Sequence, residues 1–420
     1  MFMNTIAGFK STAAVAEKWL VLALVCLFPV VMGTIESAAS TIFILLSLVG
    51  LLTIYKDWRL IASWEKAILY GFMLFVGYQL FSVLMSDDSN RAWHRFEKVV
   101  RFLLAVPIYL LIRRYADVAY RALLIGLIVS GPVMLWVAFE TMEGGRAIGA
   151  YNYIVYGDFS LMVCLSALSA ALLAGRGRWM NFMLLVSAML TLYTSLLTQT
   201  RGAWLVLPFA FLLFVWICIK RYQGNKRNWI LGGTLIIALS AGGALTTTDI
   251  FQDRAQNAVV SWDQYWEGTI EGSIGLRFLK WEAAIEHWQA HPLIGSGIGD
   301  YWLDTKELAA KEPRFRVIEE YTEAHSLYFE VLATTGLIGF LLLIWAVFFQ
   351  PFRYFWQRIY DSGNPIVQYL AFDGVLIIAA VMIDGISQNW LSRNPLTTAY
   401  IFFLVLFLTG IARLECSKQN

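Results

Sequence analysis

One histidine stands where a titratable base meets a membrane span. His325 closes the run Glu319-Glu320-Tyr321-Thr322-Glu323-Ala324-His325 and directly precedes the apolar stretch Ser326–Phe349. An unperturbed imidazole titrates near pH ~6.5, so it can serve as a neutral base at ordinary pH. Two influences compete over its charge. The amides that open the following helix disfavour the imidazolium, whereas Glu319, Glu320 and Glu323 favour it. Glu323 or Tyr321 is near enough in sequence to orient the ring. Other residues suit chemistry less well. His287 and His291 stand four apart, a spacing at which two imidazoles share a helix face and chelate a metal, but Pro292 follows and no third ligand is apparent. Asp87-Asp88 reads as a helix cap or solvated turn. Cys26, Cys164 and Cys218 fall in apolar runs and Cys416 in the tail, so neither a disulfide nor a zinc cluster is expected. No metal site and no cofactor is expected.

The elements that must position these groups are membrane helices. Hydrophobic residues make up 59% of the chain, charged residues 15%, and the mean hydropathy is +0.61. Such a composition excludes an ordinary soluble domain. A span needs roughly 20 mostly apolar residues, and about twelve segments qualify. They are 19–32, 38–55, 67–85, 99–112, 122–139, 154–174, 179–197, 203–219, 229–245, 325–349, 366–386 and 396–411. Strand alternation is missing, which argues against a β-barrel. The expected fold is an all-α polytopic membrane protein with one large, partly helical loop on the side of His325. The first span has flanking Lys10 and Lys18 and no small-residue cleavage site after it, and reads as retained.

Charge gives the orientation. Alternate short loops carry Lys56, Arg59 and Lys66, then Arg113, Arg114 and Arg121, then Arg176 and Arg178, then Lys220, Arg221, Lys226 and Arg227, and later Arg353 and Arg358. The positive-inside rule therefore puts both termini in the cytoplasm and His325 outside. The cations left on the outer side, Arg146, Arg201, Arg277, Lys280 and Arg393 among them, sit close to the membrane, where an anionic ligand would account for them.

Three stretches follow: residues 1–248 with nine spans, 249–324 as the outer loop, and 325–420 with three spans and a tail. Within the loop, Gly275–Gln289 sets Phe278, Trp281, Ile285 and Trp288 on one helical stripe. Pro292 and the glycines of Gly295-Ser296-Gly297-Ile298-Gly299 then end the helix. Those glycines follow a helix, not a strand, and lack a phosphate-loop lysine, so a tight turn is expected rather than a nucleotide site. No nucleic-acid partner is expected. The loop reads as a half-buried cap over the membrane mouth. Asp384, Gln388, Asn389, Trp390, Arg393 and Asn394 crowd the outer end of the eleventh span, suited to contacting sugar or phosphate or to anchoring the span at the interface.

Three segments together resemble the O-antigen ligase/polymerase superfamily of bacterial envelope glycosyltransferases: Gln199-Thr200-Arg201-Gly202-Ala203-Trp204, His291–Gly299, and Ala324-His325-Ser326-Leu327-Tyr328 followed by Thr335-Gly336-Leu337-Ile338-Gly339. The resemblance covers roughly 190–343. It implies a GT-C-like architecture at the bacterial inner membrane and transfer of a glycan from an undecaprenyl-diphosphate donor at the periplasmic face. The length and the single large loop suit the ligase, whose acceptor is lipid A–core oligosaccharide. On that reading, with no metal, the donor's diphosphate must be met by cations and amides. Arginine suits phosphate because its fork donates in pairs. Arg201 opens the eighth span, Arg277 opens the cap helix, and Arg146 lies in the glycine-flanked loop Glu143–Gly149. His325 would be the general base for direct attack by the acceptor hydroxyl, with inversion at the anomeric carbon. Glu323, Tyr321, Gln388 and Arg393 are candidates for orienting the base or touching substrate.

Two other functions remain open at this point. An O-antigen polymerase uses a glycan acceptor and commonly has two sizeable outer loops, where this chain has one. Some polymerases also place a glycine sixteen positions after a loop arginine, a pattern absent here. A flippase for lipid-linked sugars would suit a many-span chain, but transport paths usually mark themselves with charge at mid-membrane, where this chain has few charged residues; Asp158 and Asp373, the most conspicuous exceptions, lie near span ends or early in a span. The sequence does not fix the oligomeric state.

Overall fold

The computed structural model describes residues 2–52, 57–174, 177–221 and 272–416, with isolated positions between 223 and 260. Most of the ninth expected span and of the loop before residue 272 lies outside the described residues. The helices run α1 Phe2–Val31, α2 Ala38–Leu51, α3 Ser63–Met85, α4 Ser89–Val99 and α5 Arg101–Glu140. A two-stranded hairpin, β1 Met142–Glu143 and β2 Arg146–Ala147, leads into α6 Tyr153–Leu173, α7 Arg178–Thr198, the one-turn α8 Arg201–Trp204 and α9 Val206–Arg221. Further along come α10 Gly272–Ala290, α11 Tyr301–Lys311 and α12 Leu327–Leu342. A π-helical turn, Leu343–Phe349, joins α12 to α13 Gln350–Asp361, and α14 Pro365–Asp384 and α15 Asn394–Cys416 complete the chain. Among the described residues nine helical stretches are long and apolar enough to cross a bilayer, and α2 is a shorter apolar helix. The protein is an all-α polytopic membrane protein, as the apolar runs demand, because backbone groups in lipid must be satisfied within the chain.

The middle of the bundle is aromatic. In α15, 94% of the apolar window is buried, against 28% in α1, so α15 runs through the interior and α1 borders lipid. Phe28 of α1 stacks on Phe402 with ring centroids 3.6 Å apart. Gly126 of α5 sits where any side chain would strike the Cys26 carbonyl of α1, the close approach that small residues permit between membrane helices.

One expectation changes. The sequence suggests spans at 99–112 and 122–139 joined by a basic loop, yet α5 is helical without interruption from Arg101 to Glu140. Contacts show both halves rising from a basic corner. Arg113 bonds Glu65 at the start of α3, Arg114 bonds Asp57 and Glu17, Phe102 packs on Phe72 and Phe75 midway along α3, and Met134 lies beside Gly33 past the end of α1. The arginines stay on helical backbone because buried and half-buried carboxylates meet them there. This basal end also holds Arg221 on Gln368 and Arg358 on Glu415. The opposite end carries the cap and His325.

Candidate active site

The chain entering α12 makes an unusual turn. His325 lies at φ 52°, the left-handed region that costs a non-glycine residue roughly 1–2 kcal/mol. Its neighbours hold it there. The Ala324 amide donates to Glu330 Oε2 at 2.7 Å, the Leu327 amide to the Gly385 carbonyl at 2.8 Å, and the Ser326 hydroxyl to the same carbonyl at 3.3 Å. The imidazole is thereby aimed: its Nδ1 faces Glu323 Oε1 at 3.6 Å, while 32% of the side chain stays exposed.

Glu323 is itself fixed. Ser392 donates to it at 2.6 Å, the Arg95 guanidinium at 3.2 Å, and Arg393 stands 3.8 Å away. Burial alone would raise this carboxyl, but Arg95, Ser392, His325 and Arg393 together outweigh burial and hold it below the usual range. His325 goes the other way. Burial, then the Lys280 ammonium, with Arg277 and Arg393 adding to both and Glu323 opposing, push the imidazole down to about 4. The contest that the sequence leaves open is thus won by the neutral ring. Tyr321 stands edge-on to His325 with centroids 6.1 Å apart, and carries Lys280 Nζ 3.3 Å above its own ring.

The cap helix α10 presents a different face from the one its aromatic stripe suggests. Phe278, Trp281, Ile285 and Trp288 are only partly buried, whereas Leu279, Lys280, Ala283, Ala284 and His287 are buried. Small residues let α10 sit close against α11, the 313–318 turn and α12, and the large rings fill the margin; Trp281 stacks on Phe329 at 5.1 Å. His287 points inward to the Thr305 hydroxyl, 3.1 Å away, and burial lowers it to about 4. It therefore does not pair with His291, and among the described residues no group of three metal-ligating side chains forms. Arg277 lies on the same helix, drawn towards Asp384, with no hydrogen-bond partner among the described residues.

Two glycine motifs seat this cap. Gly295 and Gly336 have φ of 74° and 64°, and a side chain at Gly295 would strike the Thr334 backbone just as one at Gly336 would strike that of Leu293. Between them the Leu337 amide donates to the Pro292 carbonyl at 2.9 Å and the Gly297 amide to the Thr334 carbonyl at 2.9 Å. Asp300 adds a clamp, accepting from the Ser86 hydroxyl at 2.6 Å and the Asp87 amide at 2.9 Å. The glycine run is a tight turn, as expected, and Asp88 caps α4 through the Arg91 amide.

The remaining candidates gather nearby. Arg146 donates to the Thr198 and Gln199 carbonyls at 3.0 and 3.2 Å and lies 3.5 Å over the Tyr153 ring, holding the turn before α8. The Arg201 side chain lies outside the described residues, but its backbone opens α8, and Gly202 packs against Ser387 and Asp384. Gln388 donates to Asp384 at 3.2 Å and to Asp158 at 3.4 Å, and these two buried aspartates line a small cavity together with Trp390. Thus His325, Glu323, Tyr321, Arg393, Arg277 and Gln388 converge on one region, with Arg146 bordering it through Tyr153. Sequence reasoning missed Arg95 as the partner of Glu323, and it placed Lys280 among the outer cations without singling it out as part of the site. The small pair Ala283-Ala284, one turn after Lys280 on the same helix, was the available signal.

Residues 184–344 match the family model described as O-antigen ligase. A protein of Haemophilus influenzae described only as uncharacterized is 23% identical over 381 residues, covering 87% of this chain and 92% of its own length. The matched segment holds Arg201, Arg277 and His325 together with both cap-seating glycines, and over these residues the chain is similar to the O-antigen ligase family, which supports a place in the O-antigen ligase/polymerase superfamily.

Proposed function

We propose that this protein is an O-antigen ligase, which moves a glycan from undecaprenyl diphosphate to lipid A–core oligosaccharide at the periplasmic face of the inner membrane. The observation that carries the reading is His325: a neutral imidazole held in a strained conformation, a carboxylate behind its Nδ1, and cations from two other elements beside it. In the reaction the acceptor oxygen attacks the anomeric carbon while its proton passes to His325 Nε2. The bond from that carbon to the diphosphate oxygen breaks, and the electron pair leaves with the diphosphate. Glu323 steadies the imidazolium through Nδ1, and Arg277 with Arg393 offsets the charge on the leaving group. Direct attack inverts the anomeric centre. Arg146 and Arg201 shape the turn at the mouth of the site. The basal arginines suit a cytoplasmic face, which supports cytoplasmic termini and an outward His325.

A single sizeable loop favours the ligase over the polymerase. The test is reconstitution in nanodiscs with a lipid-diphosphate glycan, offering lipid A–core and a second lipid-linked glycan as rival acceptors. Glycan-bearing lipid A is the expected product. Longer lipid-linked chains would make the protein a polymerase, and movement of donor between leaflets without transfer would make it a flippase.

A further inference from the structure

The side chain of Lys280 has no role in the scheme above and, among the described residues, no partner to match its charge. It is 3% exposed, and among the described residues its ammonium makes no hydrogen bond and no ion pair. Its nearest interaction is the Tyr321 ring, 3.3 Å below. A buried ammonium has three donors to satisfy, and a ring face satisfies none of them fully. The backbone beneath is fixed, because the buried Tyr301 hydroxyl donates to the Lys280 carbonyl at 2.9 Å. Lys280 also stands three residues after Arg277, so the two cations share a face of α10.

We propose that Lys280 binds the donor's diphosphate, its ammonium meeting one phosphoryl group while the Arg277 fork meets the other. This rests on the lipid-diphosphate reading of the site. A guanidinium fork and a compact point charge one turn apart offer complementary contacts to two linked phosphates. Burial, then the Arg277 charge, lowers the ammonium to about 8, the state expected of a cation whose counter-ion arrives with the substrate. The same charge adds to burial in keeping His325 neutral, and the arriving diphosphate offsets that part of the influence.

The test is equilibrium binding of farnesyl diphosphate to the full protein in nanodiscs, with no acceptor present. Lys280→Met and Lys280→Gln should each weaken binding by about tenfold or more, the loss of one charge-assisted hydrogen bond. Lys280→Arg should stay within about threefold of the native protein. The two neutral variants check each other, since only one need keep the native unfolding midpoint. Farnesyl diphosphate bound equally by the native protein and a folded neutral variant would overturn the role of Lys280 while leaving the site intact. A native protein that binds no farnesyl diphosphate would overturn the donor reading and this proposal together.

Discussion

The two ends of the helix bundle differ in how completely they match buried positive charge. At the basal end arginines are matched: Arg113 bonds a Glu65 carboxylate that Tyr109 also bonds at 2.6 Å, Arg114 reaches both Asp57 and Glu17, and Arg358 meets Glu415. At the other end Arg277 and Lys280 are buried or half-buried with no hydrogen bond among the described residues, and Arg393 Nε is buried without a partner there. Desolvated charge is costly unless paired. The basal end spends its cations on holding helices together. The loop-bearing end pairs Arg95 and Arg393 with Glu323 but leaves Arg277 and Lys280 without a hydrogen bond among the described residues beside a neutral base, an arrangement suited to an anion.

Breaking the comparison at its chemical centre should have the largest effect. His325→Ala should lower kcat for glycan transfer by about 10²–10⁴, the usual contribution of a positioned general base, with the unfolding midpoint unchanged. Retained activity in that variant would remove His325 from the chemistry. Next comes the basal end. Arg113→Met strands the Glu65 carboxylate, 1% exposed, and should cost about 3–5 kcal/mol of stability, read as a lower unfolding midpoint in detergent. Its affinity for a lipid diphosphate should not move, and a large change in that affinity would erase the distinction between the ends.

A smaller loss is expected where cap meets span. Gly336→Ala forces a side chain into the Leu293 backbone at a left-handed φ, which should cost roughly 1–3 kcal/mol in the unfolding midpoint. A neutral result there would mean that the interlocked glycines do not seat the cap.

The pH profile sharpens the comparison most finely. Four charged groups act on His325, namely Lys280 and Arg277 from α10, Arg393 from the turn before α15, and Glu323 from its own segment, and the Tyr321 ring stands edge-on to it. Because the folded-state value is about 4, kcat/KM should hold through the ordinary imidazole range and fall only as pH drops through about 4. Lys280→Met removes a cation, so the imidazole binds a proton more readily and the acid limb moves to higher pH. Glu323→Gln removes the one stabilising anion and moves the limb to lower pH. Shifts in the same direction for both variants would contradict the electrostatic account.

Much of this was legible in sequence. Apolar runs of span length give the helices, and His325 is conspicuous because a base seldom sits so close to a span. Residues that share a short segment, such as Glu323 and His325 or Pro292 and the following glycines, declare their relation through spacing. The rest depends on contacts between distant segments. Glu323 finds Arg95 across 228 residues, which no local pattern encodes. The continuous α5 was hidden because charged residues in a gap between apolar runs look like a loop until Glu65, Asp57 and Glu17 are seen to meet them. Lys280 was grouped with the outer cations that an anionic ligand would account for but not singled out among them, since bulky aromatics at helical spacing drew attention to the wrong side of α10. There the side that packs is the one with alanines.

The most direct measurement is a cryo-electron microscopy structure of the protein in nanodiscs with an undecaprenyl-diphosphate glycan bound. The account predicts the diphosphate within ~3 Å of the Arg277 guanidinium and the Lys280 ammonium, with the anomeric carbon turned towards His325. Diphosphate density at the basal arginines, or remote from His325 at the loop-bearing end, would contradict it.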